Sequence, residues 1–123
     1  MFEPCPCGSG KGYLACCGPL HAGARAPTAE ALMRARYSAY ALGDAAFVLN
    51  TCAPETRPSR LDLDPARTWT GPAVEWARDT ASGRAEVRFT VRLRNRGRKV
   101  RLTETSRFRL DGRRWLYVDG DLD

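Results

Sequence analysis

The order of patterns along the chain predicts an α+β fold, with helical periodicity in the first half and strand alternation in the second. Three observations carry this. A helical stretch is capped at Thr28 and stopped at Gly43, a clean two-residue alternation runs over Arg84–Asn95, and the turn signals Arg96-Gly97 and Asp111-Gly112 separate further alternating runs. Helices followed by a meander predict N-terminal helices packed on a curved antiparallel sheet.

Taken in order, Thr28 is a suitable N-cap and Glu30 puts an acid in the first turn. Leu32, Met33, Tyr37 and Tyr40 recur at helical spacing, and Gly43 supplies the stop. Asp44 then opens a short helix that buries Phe47 and Val48 and ends before Pro54. Pro58 to Gly71 is the least patterned span, with Asp64-Pro65 offering one helical turn. Ala73–Thr80 reads as a strand, followed by a turn at Ala81-Ser82-Gly83. Arg84–Asn95 places Ala85, Val87, Phe89, Val91 and Leu93 on one face and Glu86, Arg88, Thr90, Arg92 and Arg94 on the other. Lys99–Leu110 alternates again, and Arg113–Asp119 supplies a last strand carrying Trp115 and Tyr117.

With 43% hydrophobic and 28% charged residues, the 123-residue chain fits a globular domain and neither a disordered nor a membrane-spanning protein. The start Met1-Phe2-Glu3-Pro4-Cys5 lacks the basic and apolar regions of a signal peptide, so the cytoplasm is the expected location and no membrane partner is expected. The formal charge of +6 comes almost entirely from arginine. Arg88, Arg92, Arg94, Arg96, Arg98, Arg101, Arg107 and Arg109 fall on the outer sheet face if the strands pair as drawn. A solvated face accounts for them more economically than an anion-binding surface, so direct nucleic-acid contact is the weaker expectation.

Residues 2–19 carry too few apolar side chains to offset their own ordering entropy. They do carry Cys5, Cys7, Cys16 and Cys17, in the pattern Cys-x-Cys, eight residues, Cys-Cys. Four thiolates satisfy zinc's preference for a closed tetrahedron and leave no position for a reacting water, so such a site is structural rather than catalytic. The glycine-rich Gly8-Ser9-Gly10-Lys11-Gly12 can wrap the ion, donate amide N–H groups to sulfur and set Lys11 against the site's charge. Gly18-Pro19 are expected to stop any helix there. The alternatives are free thiols or disulfides; a reducing cytosol disfavours disulfides, and a Cys16–Cys17 bond would be strained. The remaining cysteine, Cys52, reads as a small buried residue, and the single histidine, His21, as a linker residue or a support for the ligands.

Cys5-Pro6-Cys7-Gly8-Ser9-Gly10-Lys11-Gly12-Tyr13-Leu14-Ala15-Cys16-Cys17-Gly18 resembles the SEC-C motif, the zinc-binding module also present in the translocase ATPase SecA. All four ligand positions match, which implies Zn²⁺ held by Cys5, Cys7, Cys16 and Cys17. The helix sequence Pro27–Tyr40 and the segments Thr105–Phe108 and Trp115–Gly120 resemble the bacterial YchJ-like family. That resemblance implies an NTF2-like cone and the division 1–20 SEC-C motif, 21–27 linker, 28–123 NTF2-like domain. By analogy with SecA, whose module contacts a chaperone and the ribosome, it also implies a non-enzymatic adaptor with a protein or ribonucleoprotein partner.

One anomaly lies in the second part. Glu104 and Ser106 share the strand face of Val100, Leu102, Phe108 and Leu110, and a carboxylate on an apolar face must be paired, protonated or lining a cavity. One reading makes Glu104 a ligand anchor or general base in a pocket lined by Ser106, Tyr37, Tyr40, Trp76 and Trp115. The other, commoner in proteins, pairs Glu104 internally with Arg36 or Arg34. No second catalytic acid is evident, so no catalytic residue is assigned.

Overall fold

The computed structural model describes residues 3–123; Met1 and Phe2, at the head of the cysteine-rich segment, lie outside it. A short 3₁₀ turn at Tyr13–Ala15 leads into α1 (Cys17–His21), followed by α2 (Ala29–Leu42) and α3 (Ala45–Asn50). Four strands then form one antiparallel sheet in chain order: β1 (Arg67–Ala81), β2 (Arg84–Asn95), β3 (Arg98–Asp111) and β4 (Arg114–Leu122). This is the helices-on-curved-sheet architecture expected from the sequence.

The helix boundaries follow from their caps. The Thr28 hydroxyl accepts the Ala31 amide N–H, and Gly43 ends α2 at φ 79°, a left-handed conformation that costs glycine nothing. The Asp44 carboxylate accepts the Phe47 amide N–H and starts α3. Two expectations are corrected here. Gly18-Pro19 do not stop a helix: they occupy the first turn of α1, where an amide N–H has no intrahelical acceptor and proline is tolerated. Asp64-Pro65 opens a turn, not a helix, and β1 starts at Arg67 rather than Ala73.

Helix α2 is buried on two sides. Met33, Arg36, Tyr37 and Tyr40 face the concave side of the sheet. Arg34, Ala35 and Ser38 meet the cysteine segment instead. The buried core accordingly runs without a break from Cys5, Cys7 and Cys17 through Leu32, Met33 and Tyr37 to Val87, Val91, Leu93 and Phe108.

The β2–β3 ladder is regular throughout, pairing Phe89 with Glu104 and Val91 with Leu102. The outer strands are not. Strand β1 shifts register between Trp69 and Gly71, between Val74 and Trp76, and between Asp79 and Ala81, while β3–β4 shifts between Arg107 and Phe108. Each bulge reverses which side chains face inward, and curls the sheet. The concave face is thereby closed over by α2.

No helix among the described residues is long and apolar enough to cross a membrane.

Candidate functional site: a cysteine cluster and a cone cavity

The segment from Pro4 to Gly12 folds back on itself through a β-bridge, with the Cys5 amide N–H donating to the Lys11 carbonyl. Gly8 and Gly10, at φ 76° and 85°, make that reversal possible. It brings Cys5 and Cys7 against Cys16 and Cys17, whose sulfurs all lie within 4.8 Å of one another. Cys7 Sγ is 3.6 Å from Cys16 Sγ, which in turn is 4.0 Å from Cys17 Sγ. These separations rule out S–S bonds, and the four thiols could hold a metal ion. Three of them, Cys5, Cys7 and Cys17, are buried.

The electrostatics of the cluster ask for a cation. The Cys7 thiol is held down to about 4, first by the Cys17 thiol donating to it and then by Ser9; burial opposes this. The same bond pushes Cys17 up, and burial adds to it. One thiolate can thus be sheltered by its neighbours' S–H groups. Four in this volume need a positive ion at their centre.

The knuckle is fastened to the body from three directions. The Arg34 guanidinium donates to the Cys7 carbonyl at 2.9 Å, and Ser38 Oγ lies 3.6 Å from Cys5 Sγ. His21 bridges the two parts: Nε2 donates to the Ala35 carbonyl at 2.8 Å, and Nδ1 accepts from the Tyr13 hydroxyl at 2.7 Å. The carbonyl has no proton to give, which fixes this tautomer. His21 therefore holds the knuckle against α2 without ligating, and its ring packs edge-on to Phe47 at 4.6 Å. Cys52 is buried with its thiol donating to the Val48 carbonyl, as a small core residue would be.

On the other side of α2 the cone holds a cavity of about 260 Å³. Its apolar wall includes Trp69, Phe89, Val91, Leu102 and Phe108, its polar floor is Glu104, Ser106 and Tyr117, and Arg36 and Arg67 also border it. Ser106 Oγ and the Tyr117 hydroxyl, the latter at 3.1 Å, both donate to Glu104 Oε2. Oε1 has no hydrogen-bond partner among the described residues. The expected ion pair is not formed. Arg36 donates to the Val48 carbonyl and to Thr51, and lies 4.3 Å over the Tyr117 ring, while Arg34 pairs with Glu30.

Of the proposed lining residues, Glu104, Ser106, Tyr37 and Tyr40 border the cavity, whereas Trp76 and Trp115 do not. Trp76 sits opposite outward-facing Arg88, because the bulge at Glu75 reverses the strand's facing, and Arg78 covers its ring at 4.5 Å. Trp115 points inward nearer the β3–β4 turn, beside Leu20, His21 and Phe47. Trp69 takes the place expected of Trp76, edge-on to Tyr37 at 5.6 Å. Tyr117 is fixed by backbone bonds of 2.8 Å with Thr51 and Ala53. The sequence signal for Trp69 was Gly71-Pro72, a pair that marks an irregular strand rather than a loop.

Gly120 is a further residue that periodicity could not find. A Cβ there would stand 2.7 Å from Glu104 Cδ, and the atoms it meets belong to a movable side chain. We expect Gly120→Ala to leave the fold intact while displacing the carboxylate from Ser106 and Tyr117. A Glu104 side-chain carboxyl ¹³C shift unchanged from wild type would contradict this.

The family described as SEC-C motif matches residues 3–19, and that described as YchJ, middle NTF2-like domain, matches residues 28–120. A UPF0225 protein of Xanthomonas oryzae pv. oryzae is 51% identical over 120 residues, covering 95% of this chain and 93% of the relative. A UPF0225 protein of Streptomyces coelicolor is 52% identical over 121 residues, covering 96% and 94%. Among solved structures, a SEC-C motif containing protein from Rhodopseudomonas palustris superposes with a TM-score of 0.85 at 36% identity, covering 98% of each chain. Another from Psychrobacter arcticus gives 0.80 at 26% identity, covering 94% of this chain and 80% of that one. With its cysteine knuckle, its cone and these relatives along nearly its whole length, the chain belongs to the UPF0225 family, a SEC-C motif followed by a YchJ-type NTF2-like domain.

Proposed function

We propose that the chain is a zinc-stapled small-molecule binder: zinc builds the knuckle, and the cone cavity takes a compact, largely apolar ligand with a cationic or hydrogen-bond-donating head. For the metal, a tetrahedron with Zn–S bonds of about 2.3 Å has sulfurs about 3.8 Å apart. The Cys7–Cys16 and Cys16–Cys17 separations of 3.6 and 4.0 Å bracket that value. Zinc is redox-inert and indifferent to ligand-field geometry, which suits a closed shell supporting structure. A reducing cytoplasm would keep all four thiols available to it.

For the cavity, the observation that carries the reading is Glu104. Its Oε2 is held by two hydroxyls while Oε1 is left for a guest, in a mainly aromatic and aliphatic chamber also bordered by Arg67 and by Arg36, whose guanidinium is engaged by Val48 and Thr51. A carboxylate with π faces around it recognises ammonium-type heads. The volume of about 260 Å³ lies just below the roughly 300–1,000 Å³ of drug-sized sites, so the guest is small. The test is amide shift perturbation with benzylamine against benzoate as its anionic counterpart. Benzylamine is expected to shift residues around Glu104, Ser106 and Tyr117 and benzoate is not. No response to the amine, or an equal response to both, overturns the reading.

The adaptor function implied by the motif is the second reading. It is favoured by Leu14, an apolar side chain 85% exposed in the 3₁₀ turn of the knuckle, close in sequence to exposed Lys11. A partner protein would cover it.

A further inference from the structure

The arginines of the outer sheet face divide into two groups. Toward one end the strand cations lie among acids, and Arg84, opposite Arg109, is within reach of the Glu55 charge without a direct bridge to it. Arg78 pairs with Glu86, Arg88 with Glu75 and Asp123, Arg107 with Asp119 and Asp121, and Arg109 with Glu55. Beyond the rung where Thr90 and Thr103 hydrogen-bond across the strands, pairing with acids stops. Arg92 stands directly opposite Arg101, and Arg94 opposite Lys99, in an unbroken register on one face. Arg96 and Arg98 continue the set around the turn, and all six are exposed. None of the six makes a salt bridge among the described residues. Arg94 makes one long contact, to the Gly97 carbonyl at 3.5 Å.

Like charges facing each other across strands are destabilising, so folding concentrates charge here at a cost that nothing within the described chain offsets. A polyanion would offset it. We propose that the β2–β3 hairpin end is a binding surface for the phosphate backbone of a nucleic-acid strand, separate from the cone cavity and the knuckle. Outward rungs recur at about 6.8 Å along a strand, a spacing comparable with that of neighbouring phosphates. The alternative partner, an acidic protein, fits less well. Leu93 and Val100, the apolar residues of these rungs, are turned to the inner face, so the patch lacks the apolar or aromatic core that protein interfaces use. The same lack of an outward aromatic removes base stacking, so binding is indifferent to sequence.

The experiment uses full-length, metal-loaded protein and fluorescein-labelled 20-nucleotide oligo-uridine and oligo-adenosine RNAs, with fluorescence anisotropy read across a salt series. Both RNAs are expected to bind alike, with affinity falling steeply as salt rises. Arg92→Gln/Arg101→Gln removes one facing rung and is expected to cut affinity about 20-fold at 0.1 M salt and flatten the log–log slope by about 1.4. Arg113→Gln/Arg114→Gln removes the same charge from the β3–β4 turn, at the opposite end of the sheet, and is expected to stay within about twofold of wild type. Amide shift mapping on the wild-type protein, independent of any variant's folding, is expected to place RNA-induced changes on residues 92–101. No RNA binding by the wild type at low salt, equal losses in the two double variants, or tighter binding to polyglutamate than to RNA overturns the proposal.

Discussion

Stripping the metal is expected to lower the melting temperature by about 15 °C and to unfold the knuckle, well beyond the effect of an ordinary surface change. The reason is that the knuckle has almost no core of its own. Its buried side chains are the cysteines themselves, and what it covers belongs to α2: Ala35 and Ser38 are fully buried against it, and Leu32 is nearly so. Metal binding supplies on the order of 10 kcal/mol or more in small thiolate sites. Without it the chain must either keep four thiols packed together or release them. Release frees the His21 bridge to Ala35 and Tyr13 and the Arg34 contact to Cys7, and wets one side of α2. Cys7→Ser should reproduce the loss, because Cys7 is completely buried at the centre of the cluster. Cys52→Ser should retain full metal content, since Cys52 packs against α3 and Arg36. Thermal melts with and without chelator check the first effect, and amide exchange locates it. A chelated protein that melts with the native one would show that the knuckle holds without metal.

The second large effect concerns Glu104. Glu104→Gln keeps the shape of the side chain and removes its charge, and is expected to cut benzylamine affinity by about 30-fold or more. An ammonium held against a partly desolvated carboxylate draws much of its binding from that pair. The neutral amide offers only a hydrogen bond. Stability should change by no more than about 1 kcal/mol, because the hydroxyls of Ser106 and Tyr117 can still bond to the amide. Burial and the neighbouring Glu104 carboxylate also push Tyr117 upward, so its hydroxyl remains a donor. Titrations of both proteins with the amine, read by amide shifts, check the ratio. Equal affinity in the variant would mean that the carboxylate does not meet the guest.

Those two sites were legible in the sequence to different depths. The four cysteines could be picked out by spacing, and α2 by Thr28 and Gly43, because caps and ligands act over a few residues. Strand β2 was legible because its alternation is unbroken and its ladder with β3 is regular. Trp76 and Trp115 failed for different reasons, since which way a strand residue faces depends on every bulge before it, and how deep it sits depends on its distance from the turn. The bulge at Glu75 has no residue signature, so the tryptophan two places past Val74 turns outward and Trp69 faces inward instead. Trp115 faces inward but too far toward the turn. The docking of the knuckle was hidden too, since Ala35 and Ser38 reveal no partner until α2 is seen between two layers. That docking changes the weight of the two functional readings. The sequence favoured an appendage acting as an adaptor, whereas the structure has three of the four cysteines inside the main core and an open carboxylate in the cone.

The claim at the centre of this account is that one zinc ion, held only by sulfur, joins the knuckle to the body. X-ray absorption at the zinc edge of protein purified without chelator tests it most directly. The account predicts one zinc per chain with four sulfur scatterers at about 2.3 Å and no nitrogen or oxygen in the shell. A shell of three sulfurs and one nitrogen would make His21 a ligand instead of the bridge between Tyr13 and Ala35, and would contradict it, as would protein folded and fully active in binding with no metal at all.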